Sequence, residues 1–224
     1  EPSLWSGEPL PRGRHKLSPE EVSASQRDRL LRAMAEVVGE RGYPETTVAR
    51  VTERARVSPN AFYKFFRDKT DCFIELCEAL GEELFEQLAP PAEPAGEPLE
   101  ALAVFNERLR AYLRWWSERP ALARAYFVEL PAAGTRAIEE RARQDERFAG
   151  ILRGIADRAR ELWPELPPLR DIELRAASIL SRELVAAVVR AGRVEEVEEL
   201  EDDLRYLLLK LLTSEDLARA AAQA

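Results

Sequence analysis

The sequence predicts an all-α fold, with an N-terminal three-helix helix-turn-helix unit followed by a larger helical domain. Three observations carry this. Apolar residues recur every three or four positions through most of the chain, with no strand-like alternation and no internal repeat. Caps, prolines and glycines mark helix ends at regular intervals. One proline-rich segment, Pro90 to Pro98 (PPAEPAGEP), separates a basic part from an acidic one. The expected organisation is an arm at 1–17, a helix-turn-helix domain at 18–89, a linker at 90–98 and a second domain at 99–224.

Residues 1–17 hold Pro2, Gly7, Pro9, Pro11 and Gly13 without periodicity and read as a flexible arm, made basic by Arg12, Arg14, His15 and Lys16. Ser18-Pro19-Glu20-Glu21 supplies a cap, a first-turn proline and a third-position carboxylate, so a helix starts there. Leu30, Ala33, Met34, Val37 and Val38 continue it, and Gly42 ends it. A second helix from Thr47 to Ala55 buries Val48, Val51 and Ala55. A third opens at Ser58 and turns Phe62 and Phe66 inward. Asp68 caps a fourth, which Phe73, Leu76, Leu80 and Leu84 carry to the linker.

Beyond the linker, Leu99 to Ser117 shows Leu102, Phe105, Leu109, Tyr112 and Trp116 on one face. Further helices are expected from Pro120 to Glu129, before Pro131, and from Thr135 to Trp163, before Pro164, Pro167 and Pro168. The last pair, Asp171 to Ala191 and Glu195 to Leu212, is divided by Gly192. In the final helix Val197, Leu200, Leu204, Leu207 and Leu211 step by three and four, a short coiled-coil-like seam. Tyr206, Leu208, Leu209 and Leu212 make other faces of that helix apolar too. The helix before it is similar, with Ile179, Leu180, Leu184, Val185, Val188 and Val189. Helices apolar on more than one side suit burial in a second copy, so the expected dimer interface is Ile179, Leu180, Leu184, Val188, Leu200, Leu204, Leu207 and Leu211.

Composition narrows the function. An apolar share of 46% and a charged share of 33% describe an ordinary globular chain. Cys72 and Cys77 lie five apart on an expected helix and point in different directions. With a single histidine, this excludes a disulfide framework and the familiar zinc spacings, and no metal or cofactor is expected. No apolar run reaches the roughly 18 residues of a membrane span, and Lys210 interrupts Leu207 to Leu212. The opening Glu1-Pro2 reads as a trimmed start and no signal peptide is seen, so a cytoplasmic location is expected. The net charge of −8 is unevenly spread: Arg12 to Lys69 holds thirteen basic against eight acidic residues, a local +5, which leaves −13 elsewhere. That asymmetry fits a nucleic-acid contact confined to one end.

The segment from Thr46 to Phe73 (TTVARVTERARVSPNAFYKFFRDKTDCF) is the most informative in the chain. Two short helices at this spacing bury little by themselves but suit insertion of the second into the major groove of DNA. Its residues resemble the DNA-binding domain of the TetR (tetracycline-repressor) family of bacterial regulators. The likeness rests on Gly42-Tyr43, Thr46-Thr47-Val48, Val51, Ala55, Val57-Ser58, Phe62-Tyr63, Phe66, Lys69 and Phe73. One departure is Arg56, where the family usually has glycine. If the turn needs positive φ, arginine costs about 1 kcal/mol there while adding a charge near DNA.

Physics and resemblance together assign expected roles. Ser58 caps the third helix and offers a hydroxyl and free amides to a phosphate. Pro59, Asn60 and Ala61 lie in its first turn; Asn60 suits adenine, and Ala61 or Pro59 a thymine methyl. Tyr63 is expected on a phosphate, and Lys64 on a phosphate or guanine. Thr47 and Lys69 are expected along the DNA backbone, Arg50 as a further DNA contact, and Arg12, Arg14 and Lys16 in a neighbouring minor groove.

For the second domain the resemblance implies a ligand cavity whose occupation alters the separation of two DNA-reading heads. Phe105, Asn106, Leu109, Tyr112, Trp115, Trp116, Tyr126 and Phe127 are the candidate lining, suited to an apolar or aromatic small molecule. The expected function is a homodimeric bacterial repressor, released from a palindromic DNA operator by such an effector. An activator or DNA-organising protein without an effector is the alternative. Catalysis has little to stand on, because His15 sits in the arm and there is no phosphate loop or nucleophile elbow. A pure protein-interaction module would leave the Ser58 helix and its charge unexplained. Arginine far outnumbers lysine, present only at 16, 64, 69 and 210, which fits a GC-rich bacterial genome.

Overall fold

The computed structural model describes residues 18–88, 98–164 and 166–212, and Arg12, Arg14 and Lys16 lie outside them. The described residues are helical with no strand. In the N-terminal head, α1 (Pro19–Arg41), α2 (Val48–Ala55) and α3 (Pro59–Phe65) pack with α4 (Lys69–Leu88). The body holds α5 (Pro98–Ser117), α6 (Pro120–Arg124), α7 (Thr135–Leu162), α8 (Asp171–Arg190) and α9 (Glu201–Leu212).

Local sequence sets the helix ends. Ser18 closes a capping box on α1: Glu21 N–H donates to Ser18 Oγ at 3.1 Å, and Ser18 N–H to Glu21 Oε2 at 2.7 Å. Gly42, at φ 83°, ends the same helix. Thr47 and Ser58 cap α2 and α3 through side-chain oxygens that accept from Arg50 N–H and Ala61 N–H. Arg56, at φ 52° and ψ 47°, terminates α2 in the left-handed region.

Two expected helices change pitch. The one expected at Pro120–Glu129 is α-helical only to Arg124. It widens to a π-turn over Ala125–Glu129 and tightens to a 3-10 turn over Leu130–Ala133, through Pro131. The final helix opens as a 3-10 segment, Val194–Leu200, before α9. Apolar periodicity over five to seven residues does not separate these pitches; burial of Phe127, Leu130 and Val197 accompanies them here.

One continuous apolar core runs from Leu30 in α1 to Leu208 in α9, so head and body share their packing. The long helices α1 and α4 make the join, α1 lying on α6 and α4 on α7. The α1–α6 crossing is close: a Cβ on Gly39 would fall 2.5 Å from the Ala121 carbonyl oxygen. Cys72 and Cys77 are free thiols in the core. Among the described residues no helix is long and apolar enough to cross a membrane.

The α8–α9 seam is corrected in one member. Leu204 is 0% exposed and fills the core where α9 meets α5 and α8, so it presents nothing to a second copy. Ile179 is 46% exposed, and Leu180, Leu184, Val188, Leu200, Leu207 and Leu211 are half-buried. Tyr206, at 50%, and Ile172 add apolar surface on the same two helices.

Candidate nucleic-acid interface and interior chambers

On α3 the inward residues are Ala61, Phe62 and, just past its end, Phe66; the Phe62 and Phe66 rings pack at 5.2 Å, tilted by 52°. This leaves Ser58, Pro59, Asn60, Tyr63 and Lys64 on the outer face. Tyr63 is 59% exposed, held edge-on against Phe62 at 5.4 Å, and its hydroxyl end is free of the core. Among the described residues neither the Asn60 nor the Lys64 side chain has a hydrogen bond or ion pair, and both are exposed. Ala61 corrects an expectation: at 8% exposure its methyl packs into the head and is not offered to a base.

Two of the expected DNA contacts, Lys69 and Arg50, are engaged within the head. Lys69 opens α4, and its Nζ donates to the carbonyls of Tyr43 (3.0 Å) and Thr46 (2.9 Å) and sits 4.3 Å over the Tyr43 ring. Its donors are spent on the α1–α2 turn, so it positions α2 instead of projecting from the surface. Arg50 folds back on the Glu45 carbonyl. Thr47 is exposed at the head of α2 with its hydroxyl oxygen accepting the capping bond.

The head is tied to the body by polar contacts. Tyr43 N–H donates to Glu129 Oε2 at 2.9 Å, across 86 positions of sequence, and Tyr43 shares a 2.7 Å hydroxyl bond with Thr70. Glu129 ends the π-turn and sits 3.5 Å from Arg124. Asp71, in the first turn of α4, pairs with Arg67 at 2.7 Å and Arg136 of α7 at 2.9 Å. The Arg67 guanidinium, helped by Arg136, holds the Asp71 carboxyl well below the usual carboxylate range.

Two part-open chambers share walls in the body. The first, about 50 Å³, lies among Leu80, Gly81 and Phe85 of α4, Tyr112 and Trp116 of α5, Tyr126 and Phe127 of the π-turn, and Gln144, Asp145 and Arg182 of α7 and α8. The second, about 130 Å³, is walled by Leu88, Val104, Phe105, Leu109, Ile151, Leu152 and Leu208. Tyr112, Phe148 and Ser181 belong to both. Of the expected lining, Tyr112, Trp116, Tyr126 and Phe127 meet at the first chamber, and Phe105, Leu109 and Tyr112 at the second. Asn106 and Trp115 line neither; Trp115 is covered by Arg119 at 4.8 Å.

The sequence reading missed the polar side of the first chamber. Arg182 Nε donates to Asp145 Oδ1 at 3.0 Å, and Gln144 Nε2 to Glu140 Oε1 at 2.6 Å. Burial pushes the Asp145 carboxyl up despite Arg182 beside it. Burial also raises the Tyr112 phenol; the Trp116 indole is near enough to oppose that rise without reaching hydrogen-bond geometry. Gln144, Ser178, Ser181 and Arg182 interrupt apolar helix faces, a signal visible in sequence but easily taken for a solvated stripe.

Residues 30–76 match the profile described as "Bacterial regulatory proteins, tetR family". No curated protein matches the chain significantly. Solved structures resemble it along nearly their whole lengths. The transcriptional regulator FadR from Bacillus subtilis, solved with stearoyl-CoA, is 18% identical at a TM-score of 0.64, covering 82% of this chain and 96% of that one. GusR from Salmonella enterica is 19% identical at 0.67, covering 88% and 99%. NalD, the secondary repressor of the MexAB-OprM multidrug efflux pump in Pseudomonas aeruginosa, is 20% identical at 0.63, covering 87% and 99%. At these identities the structures establish the shared fold, and the profile match places residues 30–76 with the tetR family of bacterial regulatory proteins.

Proposed function

We propose that the protein is a homodimeric, sequence-specific DNA-binding regulator of the bacterial cytoplasm, a repressor released from a palindromic operator by a small apolar or aromatic molecule. The observation that carries this is the outer face of α3. Pro59, Asn60, Tyr63 and Lys64 project together from a helix whose other side is anchored by Phe62 and Phe66. Asn60 reads a base edge, Tyr63 and Lys64 take phosphates, and Thr47 and Arg50 line the backbone beside them. The apolar strip of Ile179, Leu184, Val188, Leu207 and Leu211 meets its own copy about a two-fold axis, which sets two heads on two half-sites. On this reading residues 18–89 form the DNA-binding domain and 99–224 the effector-binding and dimerisation domain.

Two connections support release by a ligand. Helix α4 begins at Lys69 in the head and presents Leu80, Gly81, Leu84 and Phe85 to the first chamber. The π-turn offers Tyr126 and Phe127 to the same chamber and holds the Tyr43 amide through Glu129. A molecule that spreads these walls shifts both supports of the head. It favours the dimer whose half-site spacing no longer fits, to the extent that it binds that state better. The test is sedimentation and fluorescence anisotropy on an inverted-repeat duplex. Two chains per duplex and an affinity that falls steeply with salt are expected. One chain per duplex, or an affinity indifferent to salt, would overturn the reading.

A further inference from the structure

The two chambers differ in chemistry, and the difference defines a ligand class; the inference rests on reading them as the effector site. Two buried atoms on residues of the first chamber have no hydrogen-bond partner among the described residues, Gln144 Oε1 and Trp116 Nε1. The Gln144 amide cannot turn round to serve itself. Its Nε2 donates to Glu140 Oε1 at 2.6 Å, and that carboxylate, paired with Arg143 at 2.6 Å, only accepts. Oε1 is therefore left as an acceptor, packed on Gly81, where an added Cβ would fall 2.0 Å from it. The indole N–H can only donate. Both groups gain from a partner that supplies a donor and an acceptor together.

Each charge at that end already has a partner, Glu183 through Arg190 as well. Asp145 is paired with Arg182, Arg182 also with Glu183, and Glu140 with Arg143. An added carboxylate or ammonium would be buried there without a free counter-charge. The second chamber is walled by aliphatic and aromatic side chains, and at about 130 Å³ it is close to the roughly 150 Å³ apolar cavity that takes up benzene. Arg108 is also part of its lining, with Nη1 donating to the Gln87 carbonyl at 2.7 Å and its buried Nε without a partner among the described residues. Tyr112, Phe148 and Ser181 wall both chambers, so a molecule that occupies both must pass between these three side chains.

We propose that the effector is an uncharged amphiphile. Its head carries a donor and an acceptor close together, as in a carboxamide, and sits between Gln144 and Trp116; its tail, roughly a benzene ring in bulk, fills the second chamber. Calorimetric titration of the full chain with hexanamide, hexanoate, hexylamine and benzene tests this. Hexanamide is expected to bind at least tenfold more tightly than either charged probe. Gln144→Leu and Trp116→Phe are each expected to reduce that preference severalfold while benzene uptake is kept, which shows that the variants remain folded around an intact second chamber. Hexanoate binding as tightly as hexanamide would overturn the proposal and point to Arg108 as the head-group partner. So would Gln144→Leu with unchanged hexanamide affinity, the result expected if a bound water satisfies the two orphan atoms, and so would failure of hexanamide to bind. Release of the operator duplex is followed separately: hexanamide binding with the expected selectivity but no release would leave the ligand class standing and refute ligand-driven release.

Discussion

Replacing Arg56 by glycine isolates a backbone effect, because the arginine side chain is exposed at the end of α2. The chain leaves that helix through a left-handed residue with two reverse bonds: Val57 N–H to Thr52 O at 3.0 Å, and Arg56 N–H to Glu53 O at 3.1 Å. The pattern requires φ near its observed 52°, and Arg56 is the only non-glycine residue with positive φ among the described residues. An L-residue with a Cβ costs about 1–2 kcal/mol in this region. Glycine gives back about 0.5–1 kcal/mol through the greater freedom of its unfolded chain. The net expectation for Arg56→Gly is a gain of about 0.5–1 kcal/mol, or roughly 1–4 °C in Tm for a chain of this length. Urea and thermal unfolding read it directly. Arg56→Ala should show no such gain, since Ala keeps the Cβ. Equal stability of the glycine and alanine variants, or a loss with glycine, would refute the strain argument.

Other substitutions separate roles that sit side by side in the head. Asn60→Ala is expected to relax base preference at one position per half-site, whereas Tyr63→Phe weakens binding to every sequence alike by about 1 kcal/mol; competition against a library of operator variants distinguishes them. Lys69→Met removes the donor from the Tyr43 and Thr46 carbonyls and should cost about 1–3 kcal/mol of stability by urea unfolding; an unchanged midpoint with weakened DNA binding would return Lys69 to the DNA surface. Glu129→Gln keeps an acceptor for the Tyr43 amide but not the charge, so DNA and ligand affinities should change little while Glu129→Ala loosens their coupling; equal coupling in wild type and the alanine variant would remove this tie from the release mechanism. For Asp71 the folded pKa is depressed, so its contribution is present above the ordinary carboxylate pKa and fades as acid titrates it. Between about pH 5 and pH 2 the wild type should therefore lose stability more steeply than Asp71→Asn, and parallel curves would contradict the pairing with Arg67 and Arg136.

What was legible in the sequence was local. Ser18, Thr47 and Ser58 announce their helices because a cap needs only the next three residues, whereas the turn at Arg56 was legible only through the family resemblance, since an arginine is no helix-stop signal. The spacing of Phe62 and Phe66 fixes which side of α3 faces inward, and so leaves Asn60, Tyr63 and Lys64 outside. It does not reveal that Ala61 is buried, since a small residue at the margin of the apolar stripe can fall on either side. Lys69 reads as a surface cation until the α1–α2 turn brings the Tyr43 and Thr46 carbonyls to it. The polar end of the first chamber was hidden for the same reason. Arg182 meets Asp145 across 37 positions, and Tyr43 meets Glu129 across 86, through packing that no periodicity encodes. Leu204 belongs to a seam in sequence and to the core in space, because α9 packs on both α5 and α8.

The central claim is that the outer face of α3, doubled by a two-fold axis, reads DNA sequence. Selection of bound duplexes from a random pool, repeated at two salt concentrations, tests it most directly. Recovery of one inverted repeat, its half-site centres about a helical turn or more apart, with affinity dropping as salt rises and with preference at one base relaxed by Asn60→Ala, is the predicted result. Duplexes with no shared motif, or a motif without two-fold symmetry, would contradict it.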